Sequence, residues 1–233
     1  MGHKNSAPSK TELPTLRFAS WNVRTMCPGL SSDLQQIDDA RKTAVIDREL
    51  SRLSIDFACL QETRLADNGT LKEANYTFYW QGKSPEEPRL HGVGFAIRNT
   101  LVNSVEPPTG GSERVLAIRL STSSGPVNIL SVYAPTLCST AEEKDQFYQS
   151  LDETLSKVPS TEGLYLLGDF NARVGADREA WPSCLGNFGR GKLNENGQRL
   201  LELTCYPSIC VTNAFFRCKD ILEAPALRSL AST

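Results

Sequence analysis

Four short polar clusters carry the residues of this chain that could do chemistry. They are Trp21-Asn22, Gln61-Glu62, the Tyr133 of "VYAP", and Asp169 with Asn171 in "YLLGDFNARVG". Each follows an apolar run of the kind that forms a strand, so each sits where a rigid element can aim a side chain into a cleft. Alone, any of them reads as an ordinary strand-to-turn junction, since Gly, Asp and Asn are common turn residues. Two carboxylates, Glu62 and Asp169, and two carboxamides, Asn22 and Asn171, gathered at one place would suit a hard, oxygen-seeking cation such as Mg²⁺. That ion takes one or two protein carboxylates and keeps several of its waters.

The elements that must position these clusters follow from periodicity. Strands are expected at "LRFASWNV", "DFACLQE", "YTFYWQG", "GVGFAIR", "RVLAIRL", "VNILSVYAP", "LYLLGD" and "SICVTNAF". Helical spacing places Ile46, Leu50 and Leu53 on one face of "ARKTAVIDRELSRL", and Phe147, Leu151, Leu155 and Val158 on another after Thr140. Thr140 and Glu143 have the spacing of a capping box. A third helix is expected in "NGQRLLELTCY". Helices fall between groups of strands rather than after every strand, which favours an α/β (α+β) layered sandwich over a doubly wound parallel sheet.

With 233 residues, 39% of them hydrophobic, the chain can bury one sizeable core. Its formal net charge of −2 supplies no global basic field, so a nucleic acid would have to be gripped by local patches. Arg64, Arg173, Arg178, Arg190, Lys192 and Arg199 are the candidates, although the interspersed acids equally describe a mixed solvated surface. Seven cysteines form no CxxC pair and several lie in apolar runs, which reads as reduced thiols of an intracellular, nuclear or cytoplasmic protein. The trio Cys205, Cys210 and Cys218 fits no common zinc spacing. No stretch has the apolar length of a secretion signal or a membrane span.

Taken in order, the motifs WN, QE, "HGVGFAI", YAP, GDFN and "VTNAFF" resemble the endonuclease/exonuclease/phosphatase superfamily. The wording "FASWNVRTM", "CLQETR" and "LLGDFNARVG" is closest to endonuclease domains of non-LTR retrotransposons and to the related craniofacial development protein group. The resemblance runs over residues 16–219 and implies a four-layer α/β/β/α sandwich with a cleft at one edge of two packed sheets. It implies Glu62 as the main metal carboxylate and Asn22 as its metal-side partner, with Mg²⁺, or Mn²⁺ in its place, as cofactor. Asp169 then orients or deprotonates the attacking water, and Asn171 and Tyr133 contact the scissile phosphate. Arg64 and Arg173 are read as substrate-binding from their charge beside the motifs. DNA is the implied substrate. A small phosphoester, or a non-catalytic role in binding protein or nucleic acid, are the alternatives.

Members of the family usually continue to a terminal Ser-Asp-His motif, and no such motif follows "VTN" here. The two histidines are His3 and His91, the latter preceding the glycine-rich strand and read as a plain strand-edge residue. The expected domain therefore covers residues 16–220 without the family's final strands, between tails at 1–15 and 221–233. Loss of a general acid or phosphate clamp lowers such catalysis by about 10²- to 10⁴-fold, so slow or absent turnover is the expectation.

Overall fold

A computed structural model describes residues 15–27, 41–205 and 209–217. Strand β1 (Phe18–Asn22) and helix α1 (Lys42–Arg52) come first. Strands β2 (Phe57–Gln61), β3 (Asn68–Lys72), β4 (Tyr76–Gln81), β5 (Val93–Arg98), β6 (Val105–Glu106), β7 (Val115–Thr122) and β8 (Gly125–Tyr133) follow. Helix α2 (Ala141–Leu155), strand β9 (Gly163–Asp169) and helix α3 (Glu195–Cys205) complete the order. One sheet runs β1-β2-β5-β4-β3 and the other β6-β7-β8-β9. Among the described residues, only β1 with β2 and β8 with β9 pair in parallel.

The continuous apolar runs become strands with two covered faces, each face still obeying the alternation of a strand. In β2, Phe57 and Cys59 pack with Leu116, Ile118 and Ile129 of the second sheet, while Ala58 and Leu60 pack with Ile46 and Leu50 of α1. In β8, Ile129 faces the first sheet, whereas Leu130 and Val132 face Phe147, Leu151 and Leu155 of α2. The layers are thus α1, sheet, sheet and α2, the four-layer α/β/β/α sandwich that the sequence motifs imply. Each helix is tied down by polar contacts. Asp47 of α1 accepts from the backbone and side-chain nitrogens of Asn75 and from Tyr76 N at 2.6–2.9 Å, and the expected capping box opens α2, with Thr140 and Glu143 bonded reciprocally at 3.2 Å.

One expected element is corrected. The "SICVTNAF" strand does not form over its described part, where residues 209–217 hold a 3₁₀ turn at Thr212–Ala214. Its backbone groups pair with loops instead: Val211 N donates to Cys184 O and Phe188 N to Ala214 O, both at 2.8 Å. Ala214 packs against Leu185, Leu200 and Leu201 in a satellite core beside α3. The apolar residues are buried, but against a helix and a turn rather than a sheet. Conversely β3, "NGTLK", carries almost no apolar signal because it is an exposed edge strand defined only by pairing with β4. The expected C-terminal tail lies outside the described residues, as does the expected N-terminal tail apart from Thr15.

Candidate active site

The two parallel pairs bring four carboxyl-terminal strand ends to one rim. Asn22 is registered with Gln61 in the first sheet and Tyr133 with Asp169 in the second. Beneath the rim, the fully buried Gln61 accepts from Ser20 Oγ at 3.0 Å and donates to Ser131 Oγ at 3.4 Å, while Ser131 Oγ donates to Leu60 O at 3.3 Å. This chain of buried polar groups ties one sheet to the other directly below the cluster, and burial makes it costly to break. Its only sequence signal is a single polar residue interrupting each apolar run, in "ACLQE" and in "NILSVYAP".

Glu62 leaves β2 with φ of +55°, in the left-handed region, followed by Arg64 at +54°. The strained turn is held by Thr63 N donating to Gly92 O at 3.1 Å and Arg64 N to His91 O at 2.8 Å. Gly92 has φ of +116°, and a Cβ there would come within 2.3 Å of Thr63 Oγ1, so the glycine-rich strand start is fitted to the Glu62 turn. Glu62 Oε1 accepts from Asn22 Nδ2 at 2.7 Å and from the Tyr133 hydroxyl at 3.2 Å. Its Oε2 accepts from Arg64 Nη2 at 2.8 Å. Burial opposes the charge on Glu62, but these three donors outweigh it and hold the carboxyl below the usual range.

Asp169 completes the cluster. Its Oδ2 accepts from Asn22 Nδ2 at 3.3 Å and its Oδ1 from Asn171 N at 3.1 Å. Asn22 therefore bridges the two carboxylates while its own Oδ1 accepts from Arg24 N at 3.1 Å. Asn171, at φ of +47°, donates its side-chain amide to Ala134 O at 2.9 Å, which fixes the loop against the end of β8. From below, the buried Asn196 donates to Pro135 O at 2.9 Å and Asn171 O at 3.0 Å, and Asn194 Oδ1 accepts from Arg173 N at 3.0 Å. The start of α3 thus clamps the "GDFNAR" loop. Sequence reasoning missed this pair because "NENGQRLL" reads as the polar start of an ordinary helix.

Tyr133 is held from behind. Arg114 donates to Tyr133 O at 3.2 Å and lies 5.6 Å from its ring centre, and its other guanidinium nitrogen is 3.1 Å from His91 Nε2. Arginine only donates, so Nε2 accepts and the proton of His91 sits on the buried Nδ1. Burial, reinforced by Arg114, lowers the pKa of His91 and keeps it neutral. Burial together with the charges of Glu62 and Asp169 pushes Tyr133 up to about 12, so it remains a hydroxyl donor at neutral pH. His91 is therefore a support behind Tyr133, tilted 57° to its ring at 5.9 Å, rather than the plain strand-edge residue the sequence suggests.

Of the candidate cations, Arg64 reaches the cluster through Glu62, and Arg173 is exposed on the wall of an open hollow of about 530 Å³ shared with Asp169, Asn171 and Leu137. Arg178 bonds Asn187, and Arg199 pairs with Asp145 and Glu195, so these two brace the scaffold. Trp21 and Phe170 pack against apolar clusters. The donor set at the rim is hard oxygen from two carboxylates and neighbouring amides, which fits a Mg²⁺ or Mn²⁺ ion that keeps its waters. Among the described residues no three or more His, Cys, Asp or Glu side chains gather to enclose a metal.

Gly168 sets the position of Asp169. A Cβ at residue 168 would lie 1.9 Å from Val132 O and 2.9 Å from Val132 N, inside the β8–β9 ladder. Gly168→Ala is expected to lower stability by about 2–4 kcal/mol and to push the end of β9 off the rim. Urea denaturation checks the first effect and loss of the Asn22–Asp169 contact the second.

A model described as the Endonuclease/Exonuclease/phosphatase family matches residues 19–200. Craniofacial development protein 2 of Bos taurus is 28% identical over 200 residues, covering 86% of this chain and 31% of that protein. The same protein of Tragulus javanicus is 27% identical, covering 86% of this chain and 32% of its own. The chain thus spans about a third of the curated relatives it matches. Among solved structures, the catalytic domain of Xenopus laevis APE2 superposes with a TM-score of 0.51 at 16% identity, covering 78% of this chain and 66% of that one. The endonuclease domain of TRAS1, a telomere-specific non-LTR retrotransposon, gives 0.51 at 13% identity over 83% and 71%. These structural likenesses show a shared fold.

Proposed function

The chain belongs to the endonuclease/exonuclease/phosphatase family, and on that premise we propose that it is a divalent-metal-dependent phosphodiester hydrolase of the endonuclease class, with DNA as its substrate. The observation that carries this reading is the meeting of Asn22, Glu62, Tyr133 and Asp169 at one rim, where Asn22 bonds both carboxylates and Tyr133 bonds Glu62. The wording of the motifs "FASWNVRTM", "CLQETR" and "LLGDFNARVG" favours DNA.

In this reading Glu62, with Asn22 beside it, holds Mg²⁺, or Mn²⁺ in its place. When bound, such an ion stabilises negative charge developing on phosphoryl and leaving oxygens. Asp169 orients or deprotonates the attacking water, and the neutral Tyr133 hydroxyl donates to a phosphate oxygen. Asn171 holds the loop that carries Asp169 and contacts the same phosphate. Arg64 and Arg173 grip backbone phosphates on either side of the cluster.

The test is nicking of supercoiled plasmid by the purified chain, with and without Mg²⁺, at rising salt. Two phosphate-binding arginines predict a rate at limiting enzyme that falls about tenfold between 50 and 200 mM salt. Metal-dependent cleavage of a small phosphoester with little response to salt would point to the phosphatase alternative. A folded protein that binds Mg²⁺ yet nicks nothing would sink catalysis and leave a nucleic-acid or protein-binding module.

A further inference from the structure

Beside the satellite core, two sulfurs approach each other. Cys184 Sγ and Cys205 Sγ are 3.0 Å apart, the only sulfur–sulfur contact among the described residues. Cys184 is buried in the turn that follows Trp181, with its backbone N bonded to Trp181 O at 3.2 Å and its O to Val211 N at 2.8 Å. Cys205 is the last residue of α3 and is exposed. A disulfide needs the sulfurs about 2.05 Å apart, so the pair must close by about 1 Å. Cys205 faces Cys184, and of the trio whose spacing fits no common zinc pattern Cys218 lies outside the described residues.

We propose that Cys184 and Cys205 form an oxidative modification site that closes into an intramolecular disulfide on meeting a small-molecule disulfide such as oxidised glutathione. The exposed Cys205 thiolate attacks one sulfur of the small disulfide, forming a mixed disulfide and releasing one thiol. Cys184, already in contact, then attacks the Cys205 sulfur and displaces the second small thiol. The two protein S–H bonds are lost, their protons end on the two released thiols, and one protein S–S bond forms. Bonding to Cys184, together with burial, raises the pKa of Cys205, so the first attack quickens as pH rises, and the sulfur contact itself positions Cys184 for the displacement. The crosslink would join the two walls of the cluster containing Leu185, Leu200 and Leu201, at the opposite end of α3 from the residues that clamp the Asp169 loop.

The test uses the full chain, incubated with oxidised glutathione, denatured, alkylated and mapped by peptide mass spectrometry. A linked Cys184–Cys205 peptide is expected, with the melting temperature raised by about 5 °C or more relative to the reduced protein. Cys184→Ser is expected to trap glutathione on Cys205, because the displacing thiol is gone. Absence of the linked peptide while the exposed Cys138 and Cys210 carry glutathione would overturn the proposal, since the oxidant would then have acted without closing the pair. A lasting glutathione adduct on Cys205 of the unmutated chain would overturn it equally.

Discussion

Glu62→Gln is expected to reduce Mg²⁺-dependent nicking at least about 10³-fold, equivalent to roughly 4 kcal/mol of transition-state stabilisation. The substitution keeps the shape and leaves an oxygen able to accept from Asn22, Tyr133 or Arg64, so the rim need not collapse. What disappears is the charge that three donors are arranged to stabilise. Mn²⁺ affinity, read by the loss of the free-ion spin-resonance signal on titration, should fall with activity. If nicking falls and Mn²⁺ binding does not, Glu62 is not the metal carboxylate. The pH dependence of folding supplies a second check. Because Glu62 has a lowered folded pKa, its charge contributes stability above its unfolded value, and that contribution is lost as pH falls through the folded value. The stability gap between wild type and Glu62→Gln should therefore narrow on acidification below about pH 4.

Asp169→Asn separates water activation from metal binding. Asparagine can still accept from Asn171 N, so the loop that Asn194 and Asn196 clamp should keep its shape. Removing the carboxylate that orients or deprotonates water is expected to lower the nicking rate by about 10²- to 10⁴-fold. Mn²⁺ affinity should change far less than in Glu62→Gln. The split between the two variants is the signature of distinct roles, and equal loss of Mn²⁺ binding in both would make Asp169 a metal ligand instead. The amide introduced at 169 also faces Asn22 Nδ2, donor against donor, so melting curves should accompany the kinetics.

The buried strands were legible in the chain because both of their faces are covered, which writes them as runs such as "FACLQ" and "VGFAI" bounded by polar residues. The helices were legible through a 3.6-residue stripe and, for α2, through its capping box. Where pairing or packing rather than side-chain pattern defines an element, legibility failed. The "NGTLK" edge strand has no apolar face to announce it. The "VTNAF" segment alternates like a strand yet finds its backbone partners in the loops at Cys184 and Phe188.

The site divides along the same line. The identities and order of Asn22, Glu62, Tyr133, Asp169 and Asn171 were set by sequence alone: local pattern put their clusters at strand ends, and the resemblance of the ordered motifs to the family singled them out. Their meeting was decided by tertiary structure, because it depends on which strands pair in parallel and on the register that puts Asn22 beside Gln61 and Tyr133 beside Asp169. The supports were decided there too. His91 and Arg114 lie behind Tyr133, Gln61 and Ser131 join the sheets, and Asn196 reaches under the loop from 25 residues downstream. Side chains distant along the chain acquire such roles only when burial removes water as their alternative partner, and beyond the single polar residue that interrupts each apolar run at Gln61 and Ser131 the sequence carries no local trace of that exchange.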